Sequence, residues 1–129
     1  MKSNPYFTID EFKCRCGKCK LPENVPSDEL IDTLCEIREH YKAPIIINSG
    51  YRCPTHNAKV GGAKSSQHTI GSAVDFIVKG VKTADVHSFV LEKYGDKPYG
   101  IAIKHNYNDA YKGFVHLDTR GKKARWTYN

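Results

Sequence analysis

Ser66-Gln67-His68-Thr69-Ile70-Gly71-Ser72-Ala73-Val74-Asp75 is the stretch whose reading decides the fold. An imidazole and a carboxylate stand seven residues apart in it, across a Gly-containing turn, and the apolar run Ala73 to Val78 reads as a buried strand. Such a turn can present both side chains to one point. Neutral imidazole and ionised carboxylate are zinc ligands, and a catalytic zinc takes three protein ligands while keeping one position for water. The third ligand is sought in Phe114-Val115-His116-Leu117-Asp118, a short alternating segment in which His116 and Asp118 project from the same strand face. Two strands would then converge on one metal held by His68, Asp75 and His116.

A His and an Asp at this spacing are more often solvated or hydrogen-bonded residues than ligands, so the spacing alone carries little. The whole string carries more. Ser66, His68, Gly71, Ala73 and Asp75 fill every fixed position of an SxHxxGxAxD motif, preceded by Ser49-Gly50-Tyr51-Arg52 and followed by Val115-His116-Leu117-Asp118-Thr119-Arg120-Gly121 with Arg125-Trp126. On these residues the chain resembles the zinc peptidases of the M15 type, the D-alanyl-D-alanine carboxypeptidase and cell-wall endopeptidase group. That group is related in fold to lysostaphin-like enzymes and to the hedgehog signalling domain.

The resemblance implies an α+β domain spanning residues 1–129, with a small antiparallel sheet carrying a zinc groove and helices on the other side. It implies one catalytic Zn2+ on His68, Asp75 and His116, with Arg52 as the active-site Arg, whose planar fork suits a substrate carboxylate or a developing oxyanion. Ser66 would be a hydroxyl that supports the ligands or touches substrate. The substrate implied is the stem peptide of bacterial peptidoglycan, cut by an enzyme such as a phage lysis or virion-associated peptidase. Several relatives place an acidic base three residues before the last His, or use an HxH pattern; here Gly113 and Phe114 occupy those places. Asp118 is therefore the candidate base, with orientation of a ligand imidazole as its other reading. A zinc-binding module of the same fold without catalysis is the alternative function.

The sequence of 129 residues fits one core, and its 40% hydrophobic and 26% charged content is that of a globular chain, without repeats, linkers or low-complexity segments. No apolar run approaches the about 20 residues of a membrane span, and Met1 to Tyr6 lacks the apolar centre of a signal peptide. The expectation is a monomer made in the cytoplasm, not inserted in a membrane, that reaches the wall by release or export. A formal charge of +6 favours anionic partners. The basic residues form no stripe, with only Lys122-Lys123-Ala124-Arg125 clustered, so nucleic acid is not the expected partner.

Cys14, Cys16 and Cys19 place three thiols within six residues, and Cys53 is a candidate fourth. A second, structural zinc, disulfides, and free thiols acting as small apolar groups all remain open, because half of the usual paired zinc spacing is missing and five cysteines give no clean pairing.

The remaining segments follow from capping and periodicity. Thr8 and Glu11 form a capping box. Ser27 caps a helix with Leu30, Leu34, Ile37 and Tyr41 on one face, ending near Lys42 ahead of Pro44. Ile45 to Asn48 reads as a buried strand, and Pro54 to Val60 as a short helix closed by Gly61-Gly62 with His56 outside the site. Thr83 is the expected cap of a helix with Val86, Phe89, Val90 and Tyr94 inward and His87 outward. Tyr99 to Ile103 is another strand, Lys104 to Lys112 a loop with His105 and Asp109 as spare polar groups, and Trp126 a packing residue that clamps the tail.

Overall fold

The computed structural model describes residues 1–63 and 65–129. A 3-10 turn at Ile9–Phe12 precedes helix α1 (Asp28–Tyr41), strand β1 (Ile45–Ser49), helix α2 (Pro54–Lys59) and a second 3-10 turn at Gln67–Ile70. Strand β2 (Ala73–Val78), helix α3 (Thr83–Tyr94) and strands β3 (Gly100–Lys104), β4 (Phe114–Asp118) and β5 (Ala124–Thr127) complete it.

Helix α1 begins where its side chains can satisfy free amides: Ser27 Oγ accepts from Leu30 N at 3.3 Å, and Asp28 and Glu29 lie in the positive first turn. It stops at Lys42, whose φ of 52° is left-handed. Leu30, Ile31, Leu34 and Ile37 are fully buried along one face. Helix α3 starts differently from the sequence expectation. Thr83 is its first helical residue, with Lys82 at the cap, and Thr83 Oγ1 donates to Lys112 O at 2.7 Å. That hydroxyl ties the helix start to the Lys104 to Lys112 loop instead of capping its own helix.

The five strands form one sheet in the order β1-β2-β4-β3-β5. The α+β class is as the sequence implies, with one correction: the first four strands pair antiparallel, but β5 pairs parallel to β3, so the sheet is mixed. The tail, read only as a packing segment, is that fifth strand. Arg125 anchors it, donating to Tyr99 O and, at 3.0 Å, to Gly95 O. Strand β1 is the other edge, and its burial alternates. Ile45 and Ile47 face the core, while Ile46 is 44% exposed, because an edge strand is covered on one face only.

Val74, Phe76 and Val78 of β2, Ile101 of β3, and Val115 and Leu117 of β4 interleave with the buried faces of α1 and α3. Each such side chain contributes about 1.5–3 kcal/mol on burial. Side chains alternate across a strand, so this packing forces Asp75, His116 and Asp118 onto the opposite face. A slip of β4 by one residue would expose Val115 and Leu117 and turn His116 into the core, which fixes the register.

Candidate metal centre

Strand pairing lays a row across the polar face. Ser49 of β1 stands beside Asp75 of β2, Asp75 beside His116 of β4, His116 beside Ala102 of β3, and Ala102 beside Trp126 of β5. The register of β1 shifts between Ile47 and Ser49, a bulge-like irregularity at the strand end beside this row. His68 is delivered from outside the sheet by the 3-10 turn, where Ser66 Oγ accepts from His68 N at 3.2 Å.

His68, Asp75 and His116 are all buried, and their ligand atoms lie within 4.8 Å of one another. His68 Nε2 is 3.2 Å from Asp75 Oδ1, and His116 Nδ1 is 2.9 Å from the same oxygen. The outer ring nitrogens fix the tautomers. His68 Nδ1 lies 2.6 Å from the carbonyl oxygen of Gly50, which can only accept, so Nδ1 carries the proton. His116 Nε2 lies 2.7 Å from Asp118 Oδ2, an ionised carboxylate that likewise only accepts. In the neutral rings, the lone pairs of His68 Nε2 and His116 Nδ1 therefore both face the same carboxylate oxygen, Asp75 Oδ1. Three electron pairs converging in a buried space call for a cation between them or for extra protons, and two imidazoles with one carboxylate match the donor set of a catalytic zinc site.

With extra protons on the rings in place of a cation, the same nitrogens donate to the carboxylate. Burial alone would raise the Asp75 carboxyl, but hydrogen bonds from His116 and His68 outweigh it and hold it at about 2. Burial alone would lower the His116 ring, and its bonds to Asp118 and Asp75 instead raise it. Asp118 is also held well below the usual carboxylate range: burial pushes it up, and hydrogen bonds from Arg120 and His116 push it further down.

Asp118 does not reach the groove. It is 0% exposed. Its Oδ1 accepts from Gly100 N at 3.2 Å, Arg120 N at 3.2 Å and Arg120 Nε at 2.8 Å, while Oδ2 accepts from Arg120 Nη2 at 2.7 Å besides the His116 ring. Gly100 makes room for it, since a Cβ there would stand 2.3 Å from Asp118 Oδ2. An oxygen pair so fully engaged is suited to orienting a ring and poorly suited to accepting a proton from water.

A groove of about 600 Å³ opens over Asp75 and His116, with His68 buried behind them. Asp75 and His116 form its floor, with Arg52, Ser66, Arg120, Phe114, Trp126 and Tyr128 around it. Among the described residues that line it, Asp75 is the only carboxylate. Arg52 Nη2 donates to Ser66 Oγ at 3.3 Å, and Arg52 Nε is buried with no partner among the described residues. A buried guanidinium N–H without an acceptor is costly unless something else accepts from it. Of the other expected polar groups, His105 lines a separate pocket with Thr83 and Lys112, and Asp109 accepts from Tyr111 N at 2.9 Å within its own loop.

Two aromatic residues belong to the groove that the sequence reading left out of it. Trp126, expected to clamp the tail, packs against the His116 ring with the planes tilted by 50° and the centroids 5.0 Å apart, and lies under the Arg120 guanidinium at 5.1 Å. Ala102, between them in the row, is small enough to let the indole lean over. Tyr128 places its hydroxyl 3.4 Å from His116 Nδ1, and burial pushes its phenol up, which keeps the proton on it. The signal for both was the alternation of Trp126 and Tyr128 in the tail, which is a strand period.

The turn before the site is set by a close backbone approach. Tyr51 N donates to Phe12 O at 2.9 Å, and a Cβ on Gly50 would come within 2.8 Å of the Phe12 Cα and 2.9 Å of its carbonyl oxygen. Only glycine fits there.

No curated protein matches the chain. The family model described as Peptidase M15 matches residues 5–118, which takes in all of the groove's strand residues except those of β5.

Proposed function

The chain belongs to the M15 peptidase family, and from that premise we propose that it is a zinc-dependent peptidase cutting a peptide bond in the stem or cross-link peptides of bacterial peptidoglycan. The observation that carries the reading is the convergence of His68 Nε2, Asp75 Oδ1 and His116 Nδ1 beside an open groove that Asp75 and His116 line. Those three residues would hold the ion. Zinc at that point would supply Lewis acidity, polarising a scissile carbonyl and making water a usable nucleophile near neutral pH.

The chain's own residues do the rest. Arg52, with its unpartnered Nε and its groove position, binds a substrate carboxylate or the oxyanion that develops at the carbonyl. Ser66 holds the Arg52 fork in place. Asp118, clamped by Arg120, keeps the His116 ring turned so that Nδ1 faces the floor. Gly50 O does the same for His68. Tyr128 OH is a donor beside the reacting carbonyl, and Trp126 walls off water from one side.

A net charge of +6 suits retention on an anionic wall polymer, the setting of a phage lysis or virion-associated enzyme acting after release or export. The test is digestion of purified peptidoglycan with mass analysis of the new peptide ends, with and without a zinc chelator. Zinc-loaded protein that produces no new ends would sink the peptidase reading. That same result, with zinc retained, would identify the alternative, a non-catalytic zinc module, which the lack of a second groove carboxylate among the described residues favours.

A further inference from the structure

Outside the groove, the four thiols of the N-terminal arm and the α2 cap gather at one point: the Sγ atoms of Cys14, Cys16, Cys19 and Cys53 lie within 4.8 Å of one another. Cys14 and Cys53 are 3.8 Å apart, Cys16 and Cys19 3.4 Å, and Cys16 and Cys53 4.0 Å. A zinc tetrahedron with Zn–S bonds of about 2.3 Å has edges of about 3.8 Å. A disulfide needs about 2.05 Å. The observed separations bracket the first value and are far from the second. Backbone amides also point at the sulfurs, as anionic thiolates require: Cys53 N to Cys14 Sγ at 3.4 Å, Lys18 N to Cys16 Sγ at 3.4 Å, and His56 N to Cys53 Sγ at 3.5 Å. Four thiolates around Zn2+ leave a double negative charge, and Arg15, Lys18 and Lys59 line the adjoining pocket to offset it.

We propose that Cys14, Cys16, Cys19 and Cys53 form a second metal site, a closed tetrathiolate that takes Zn2+ as a structural ion and is independent of the peptidase reading. Four protein ligands leave no position for water, so the site does no chemistry. Its effect is mechanical. Cys53 directly follows Arg52 and caps α2 with its thiol, while the arm that carries Cys14 also accepts from Tyr51 N through Phe12 O and reaches Ile47 O with Arg15 Nη2 at 3.0 Å. The ion would pin that arm to the turn that presents both Arg52 and the Gly50 carbonyl. A paired CxxC…CxxC spacing is absent because the fourth ligand comes from a helix cap and not from a second knuckle.

The test uses the intact protein purified with zinc under reducing conditions. Elemental analysis should give two zinc ions per chain in wild type and one in His116→Ala. Replacing zinc by Co2+ should produce a sulfur-to-cobalt charge-transfer band, which a site of two imidazoles and a carboxylate cannot give. The four thiols should resist alkylation until a strong chelator is added. In Cys19→Ser the cobalt–thiolate band should weaken or vanish while the first metal remains; should that variant fail to fold, the wild-type spectrum and alkylation pattern decide. Wild type with a single zinc lost in His116→Ala, with four freely alkylated thiols, or with disulfides among them by mass, would overturn the proposal.

Discussion

His68, Asp75 and His116 are all buried on one face of a sheet, the last two on its strands, whereas Cys14, Cys16, Cys19 and Cys53 range from buried to exposed and hang on loops and a helix cap. The first group has three donors below a groove, with each ring's outer nitrogen held by a carbonyl or carboxylate. The second has four donors, and its sulfurs accept from backbone amides. Rigid strands fix the direction in which a three-donor site stays open. Loops suffice where nothing needs to stay open, because four ligands close the sphere themselves. On the two proposals, one element would serve a reaction in one place and hold backbone together in the other, and ligand count with its supports would separate the two uses.

The comparison breaks most severely if the open site is not the reactive one. His116→Ala is expected to remove the metal bound in the groove and abolish turnover on wall fragments while circular dichroism stays native. Zinc content at that site unchanged from wild type would remove the third-ligand assignment. Next in size is Arg52→Lys, which should keep both fold and groove metal but lower kcat by about 10² to 10³, the usual loss for an oxyanion donor, since an ammonium cannot reproduce the fork. Near wild-type turnover would return Arg52 to an ordinary surface cation.

Asp118→Asn sharpens the point about supports. The carboxylate that orients His116 should, when neutralised, weaken zinc affinity by about 10 to 100-fold. Turnover at saturating zinc should then fall by far less than the about 10² to 10⁴ expected for a lost general base. Zinc titration and zinc-saturated kinetics on one preparation distinguish these, and unchanged affinity with collapsed turnover would restore the base role. The smallest effect is expected from Tyr128→Phe. Removing one hydroxyl donor near neutral substrate atoms should cost about tenfold or less in kcat, with metal content unaltered; a drop comparable to that of Arg52→Lys would make Tyr128 a principal participant.

Much of this was legible in the sequence, for identifiable reasons. The alternation in Phe114 to Asp118 and the β-branched and apolar run Ala73 to Val78 gave the two central strands with the boundaries observed, because both faces of those strands are committed. The three converging donors stood out because the motif around them is dense. Asp118 was harder: its side of the strand was readable, but its five hydrogen bonds depend on Gly100 and Arg120, which no local pattern joins to it. Strand β5 escaped because a parallel partner contributes no hairpin signal, and Trp126 was misjudged with it. The cysteines were undecidable in sequence because the fourth sits 34 positions beyond the third, at a cap whose location only the fold sets.

Gly50 stands where two layers of the molecule touch. The carbonyl of its peptide accepts a hydrogen bond from the His68 ring, and its Cα lies against the backbone at Phe12 with no space for a methyl group. The N-terminal arm thus backs the turn that holds the His68 ring, and is not an appendage to it. Trimming the chain to begin at helix α1 would leave His68, Asp75 and His116 in the sequence and still remove the backbone against which Gly50 packs, so the smallest autonomous unit starts well before His68.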